Sequence, residues 1–186
     1  MAIIPVQPPK AAQPALAAAL QSRHRHLFNG GHDQLSITAL LPRYLLPLRQ
    51  EPVRRNLLLV GWDAFVISED DVALASLRAT EGSLAFSGLT FGRLARAALV
   101  AAALGQDRLG SKSAVFRPCF IESSVAGLLS IAFLTRRGAS RHVPLVDGGA
   151  ISPDALQLRK GVSHLLARMH ARSAQDVRAE AFDFAR

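Results

Sequence analysis

Residues 127–146 read GLLSIAFLTRRGASRHVPLV, two apolar runs rich in Leu, Ile, Phe and Val separated by a short polar segment. Strand-length apolar runs joined by a glycine-containing turn are the pattern of an antiparallel hairpin. The turn carries Arg136 and Arg137, and Arg141 lies just beyond it, so the hairpin has a cationic tip. Guanidiniums this close repel one another unless an anion sits nearby, which favours a phosphate-bearing partner.

Working outward, AVFRPCFIES at 114–123 is a third strand candidate, and 114–146 reads as a three-strand antiparallel meander. Downstream, Asp147-Gly148-Gly149 stops the sheet, and Ser152-Pro153-Asp154 has the cap, proline and carboxylate of a helix start. The expected helix runs to about residue 172. Leu158, Val162, Leu165, Leu166 and Met169 would form its buried stripe, and Lys160, His164, Arg168 and Arg172 recur every fourth residue on another face.

Upstream, residues 56–68 (NLLLVGWDAFVIS) are strand material, with Gly61-Trp62-Asp63 marking a bulge or turn. Glu69-Asp70-Asp71 complements a helix dipole and predicts a short helix over Val72–Leu77. Thr90 is the expected cap of a helix over 91–104 that Gly105 ends, followed by a polar loop at 106–112. A first helix is predicted over about 14–28, with Leu16, Leu20 and Leu27 on one stripe. Residues 34–41 are an apolar run of ambiguous type. Helices flanking a run of antiparallel strands define an α+β fold: an antiparallel sheet including the meander, packed against helices and covered mainly on one side. The expected organisation is a flexible proline-rich arm at 1–13, a single domain at 14–172 and a C-terminal tail at 173–186.

The chain has 186 residues, a length suited to one domain with its own core. Its formal charge of +8 comes from nineteen Arg and three Lys against 14 acidic residues. Placement matters more than the total: residues 1–55 sum to +5, residues 56–105 to −2 and residues 106–186 to +5. Such asymmetry favours a basic face, whose usual partners are nucleic acid, acidic protein or anionic lipid. The single cysteine, Cys119, excludes an internal disulfide and fits a reducing cytoplasm. Prolines at 5, 8, 9 and 14 interrupt any signal-peptide core, and no apolar run is long enough for a bilayer span, so a cytoplasmic protein without a membrane partner is expected.

Several constellations have simpler explanations. His24, His26, His32 and Asp33 cluster, but a spacing of two puts His24 and His26 on different helix faces, so no metal is expected. GQDRLGSKS at 105–113 has the wrong order for a Walker loop and follows a helix. The helix at 91–104 is too apolar to read a DNA groove. Phe116, Phe120 and Phe133 suit a core better than a stacking platform. Cys119 would need Arg117, Glu122 and His142 around it to become reactive.

The leading expectation is a cytoplasmic, non-enzymatic accessory protein that binds nucleic acid, DNA or RNA, through Arg136, Arg137, Arg141, Lys160, His164, Arg168 and Arg172, with a protein partner docking at Phe182 and Phe184 in the tail. It needs no catalytic residue, cofactor or metal. Alternatives are a structural or adaptor subunit of a multiprotein bacterial assembly, and a small enzyme or anion-ligand-binding domain.

Overall fold

The meander forms as the residues dictate: β6 (Arg117–Ser123), β7 (Leu128–Leu134) and β8 (Ser140–Asp147) pair antiparallel in sequence order. This comes from a computed structural model that describes residues 7–23, 36–45, 57–68, 71–80, 83–110, 116–123, 127–134, 140–147, 149–151 and 158–160. The elements before the meander are α1 (Ala12–Arg23), β1 (Ser36–Ile37), β2 (Leu41–Leu45), β3 (Leu58–Ile67), β4 (Val72–Thr80), β5 (Ser83–Phe91) and α2 (Arg93–Gly110), and after it come β9 (Ala150–Ile151) and β10 (Arg159–Lys160). The chain is an α+β fold in which one mixed sheet runs in the order β10-β8-β7-β6-β2-β3-β4-β5, with β1 on β3 and β9 on β8. Among the described strands, β2 with β6 is the parallel pairing, and it joins the meander to the N-terminal strands.

β1 and β2 lie along the same edge of β3, interrupted where Thr38 takes over. Thr38 N–H donates to the Phe65 carbonyl, and its Oγ1 accepts from Phe65 N–H, both at 2.9 Å, so the side chain substitutes for a ladder position. The described part of the ambiguous run, residues 36–41, therefore lies along β3 as strand and its link. The register shift between Arg43 and Tyr44 places a bulge in β3 at Val60, beside the predicted Gly61-Trp62-Asp63 position.

Each sheet face carries a helix, a correction to the expectation of cover mainly on one side. Ala12, Leu16 and Leu20, four residues apart on α1, pack with Trp62, Ala64 and Val66 of β3 and Ala73, Ala75 and Leu77 of β4. On the other face Ala95, Ala98, Ala101 and Leu109 of α2 pack with Phe65, Leu74, Phe120, Ile131 and Phe133. Alternate residues of β3 and β4 thus enter different cores.

One expected helix and the bounds of two others are corrected. Val72–Leu77 is strand, part of β4, paired with β3 on one side and β5 on the other. Asp71, the described member of the carboxylate cluster, helps join β3 to β4: Ser68 N–H donates to the Asp71 carbonyl at 3.0 Å, and Asp71 Oδ1 accepts from Val72 N–H at 2.8 Å. Thr90 stays in β5 opposite Leu74, and α2 begins at Arg93 and continues through Gly105 to Gly110. Gly105 is a packing position rather than a stop, because a Cβ there would collide with the Phe133 ring. α1 starts at Ala12, inside the segment expected to be a loose arm.

The helix expected over 152–172 is contradicted at Arg159–Lys160, which form β10 against β8. Residues 152–157 and 161–186 lie outside the described residues. Among those described, no helix is long and apolar enough to cross a membrane.

Candidate functional site

Of the seven residues expected to bind nucleic acid, Arg141 and Lys160 lie within described strands. Arg136, Arg137, His164, Arg168 and Arg172 lie outside the described residues, as do Phe182 and Phe184. The antiparallel register of β10 on β8 sets Lys160 opposite Arg141 and Arg159 opposite His142. Two basic segments 18 positions apart in sequence are thereby backbone neighbours, although through a strand and not a helix. Arg159, which the every-fourth-residue pattern did not include, is exposed on this edge strand. Arg136 and Arg137 lie between β7 and β8 in sequence, and β8 in turn pairs with β10.

A second polar constellation was not anticipated. Asp63 sits in the middle of β3 with its side chain wholly buried, and it accepts from Arg43 Nε at 2.6 Å and from Ser76 Oγ at 2.5 Å. Arg43 Nη1 also donates to Glu122 Oε2 at 2.7 Å, and its guanidinium carbon lies 5.4 Å from the Phe120 ring centroid. One arginine on β2 thus bridges carboxylates on β3 and β6, across the parallel junction of the sheet. Burial raises the Asp63 carboxyl above its ordinary range; Arg43 and the Ser76 hydroxyl oppose that shift without cancelling it. Burial disfavours the charged Arg43, but attraction from Asp63 and then Glu122 outweighs it, so its pKa is raised. A cavity of about 280 Å³ opens beside this group, lined by Arg43, Asp63, Ser76, Arg78, Ser87 and Thr90 among others.

The sequence signal for this network was Asp63 itself, a lone carboxylate inside the apolar run of β3. A charge at the centre of a buried strand requires a partner. Which partner could not be read, because Arg43 and Glu122 come from other strands.

The enzyme constellation does not assemble. Cys119 and His142 both oppose Ala132, one from each side, so a full strand separates them. Backbones on either side of a central strand are about 10 Å apart. Cys119 belongs to the core cluster with Tyr44 and Ile121, whereas Glu122 projects from the opposite face toward Arg43. Burial pushes the Cys119 thiol far up, so the thiolate needed of a nucleophile is disfavoured. Phe120 and Phe133 are core residues, as expected. No group of three potential metal ligands occurs among the described residues. No protein-family model, curated protein or solved structure matches the chain.

Proposed function

We propose that the protein is a cytoplasmic, non-enzymatic accessory factor that binds nucleic acid along the β8–β10 edge of its sheet. The observation that carries this reading is the register that sets Lys160 opposite Arg141, with the neighbouring Arg159 exposed. Basic residues at neighbouring positions of two paired strands suit a polyanion, because each phosphate engaged releases condensed counterions. Arg136 and Arg137, which precede β8 in sequence, are included in the proposed contacts on charge alone. The contacts are to the phosphate backbone, so they position the nucleic acid without reading its bases.

The test is fluorescence anisotropy with labelled duplex DNA and single-stranded RNA at about 50 and 200 mM salt; four phosphate contacts imply roughly a hundredfold loss of affinity across that range. Reversing Arg159 and Lys160 together to Glu should weaken binding at least tenfold, and so should reversing Arg137 with Arg141. Affinity indifferent to salt and to both double reversals would remove this reading.

A further inference from the structure

The two ends of the sheet differ in chemistry. β10 is a cationic edge, whereas β5, at the other end, reads SLAFSGLTF: nine residues with no charge and no proline. Edge strands are ordinarily blunted by charge, proline or brevity, since their outward N–H and C=O groups template further pairing. β5 pairs with β4 over its whole length, from Ser83 to Phe91, and no described strand lies on its outer side. A bulge at Ser87 bends it, and the Ser87 hydroxyl is turned back to the Ser76 carbonyl, leaving an uncharged arm on each side.

The flanks of this edge specify what would pair there. Leu84, Phe86 and Leu89 pack toward the cluster beneath α1, so one side of the strand is apolar. On the other side lies the cavity of about 280 Å³, lined by Arg78, Ser87 and Thr90. Nearby carboxylates are committed: Asp63 and Glu122 to Arg43, and Asp71 to Arg96 at 3.3 Å. Arg78, opposite Ala85, and Arg93, just past the end of β5, are exposed and make no ion pair among the described residues. Glu81, the acidic residue between them in sequence, lies outside the described residues. We infer that β5 is a docking edge for an extended acidic segment of a partner protein, added as a further strand with its apolar side chains toward α1 and its carboxylates toward Arg78 and Arg93. This is strand addition, in which backbone hydrogen bonds provide affinity and alternate side chains provide selectivity.

The experiment uses the full chain and a labelled eight-residue peptide alternating valine and glutamate, with a valine–lysine peptide as control. Anisotropy should show binding of the acidic peptide alone, and amide hydrogen exchange across residues 83–91 should slow at least fivefold on its addition. Arg78→Glu with Arg93→Glu, both at exposed positions and checked for native circular dichroism, should lower affinity at least tenfold. Equal binding of the lysine peptide, unchanged exchange of the β5 amides at saturation, or full affinity in the double variant would each overturn the inference. So would slow exchange of those amides in the free protein, whether relieved by dilution, which would identify a second copy on the edge, or by deleting residues 179–186, which would identify the chain's own tail.

Discussion

Asp63 and Arg43 are joined by a 2.6 Å bond from Nε to Oδ2, and the carboxylate is shielded from water. Removing one member of such a pair leaves the other charged and buried, whereas replacing both with apolar groups removes the desolvation penalty as well. Arg43→Met is therefore expected to lower stability by about 3–5 kcal/mol. Arg43→Met combined with Asp63→Leu should recover at least half of that loss. Urea unfolding of the wild type, both single variants and the double variant measures the coupling.

Asp63 also makes stability depend on pH in an unusual direction. A carboxyl whose folded pKa lies above its ordinary value of 3.8 binds protons more readily folded than unfolded. Its contribution to stability therefore falls as pH rises from that ordinary value through the raised one. Asp63→Asn abolishes this slope, so the difference in unfolding free energy, Asn variant minus wild type, should shift in the variant's favour between about pH 4 and pH 7. A difference that runs the other way would assign Arg43 enough influence to hold the carboxyl below its ordinary value.

Gly105 lies within α2, where alanine would ordinarily gain about 1 kcal/mol of helix propensity. The Phe133 ring occupies the space that the new methyl group would need. Overpacking of this kind costs about 1–3 kcal/mol, so Gly105→Ala should lower the melting temperature despite the better helix former. Phe133→Leu in the same chain should relieve part of the loss. A rise in melting temperature for the single variant would show that the ring moves aside freely.

Cys119 is buried, and its thiol is held in the neutral form. Iodoacetamide at about pH 8 should label it only as fast as the protein opens, and labelling should accelerate at least a hundredfold in denaturing urea. Rapid labelling of the native protein would place the thiol at the surface.

The meander was legible because β6, β7 and β8 are apolar runs separated by polar segments, a pattern that needs no tertiary context. β4 was not, since Ala73, Ala75 and Leu77 face α1 while Leu74 faces α2. Burial on both sides erases the alternation that identifies a strand. The carboxylates at 69–71 imitate a helix start, whereas Asp71 bonds within the connection between two strands. Gly105 was mistaken for a stop because its purpose depends on Phe133, 28 positions later. At the candidate nucleic-acid surface the residue types were visible, but spacing by four suggested a helix for Lys160, and only the pairing with β8 brought Arg159 into the group. The ion network of Arg43, Asp63 and Glu122 was hidden for a related reason: three strands contribute one member each.

The parallel junction between β2 and β6 also constrains how the chain acquires its structure. Arg43 and Glu122 are 79 positions apart, whereas the pairings of β3 with β4, and of β6 with β7, close within short stretches of chain. Closing the longer loop costs more entropy, which orders assembly: two hairpin blocks mature separately and are welded late along β2. During synthesis, that edge of β2 waits until β6 has left the ribosome. Rate measurements should accordingly show Tyr44→Phe and Ile121→Val accelerating unfolding with little effect on folding, and Val66→Ala slowing folding.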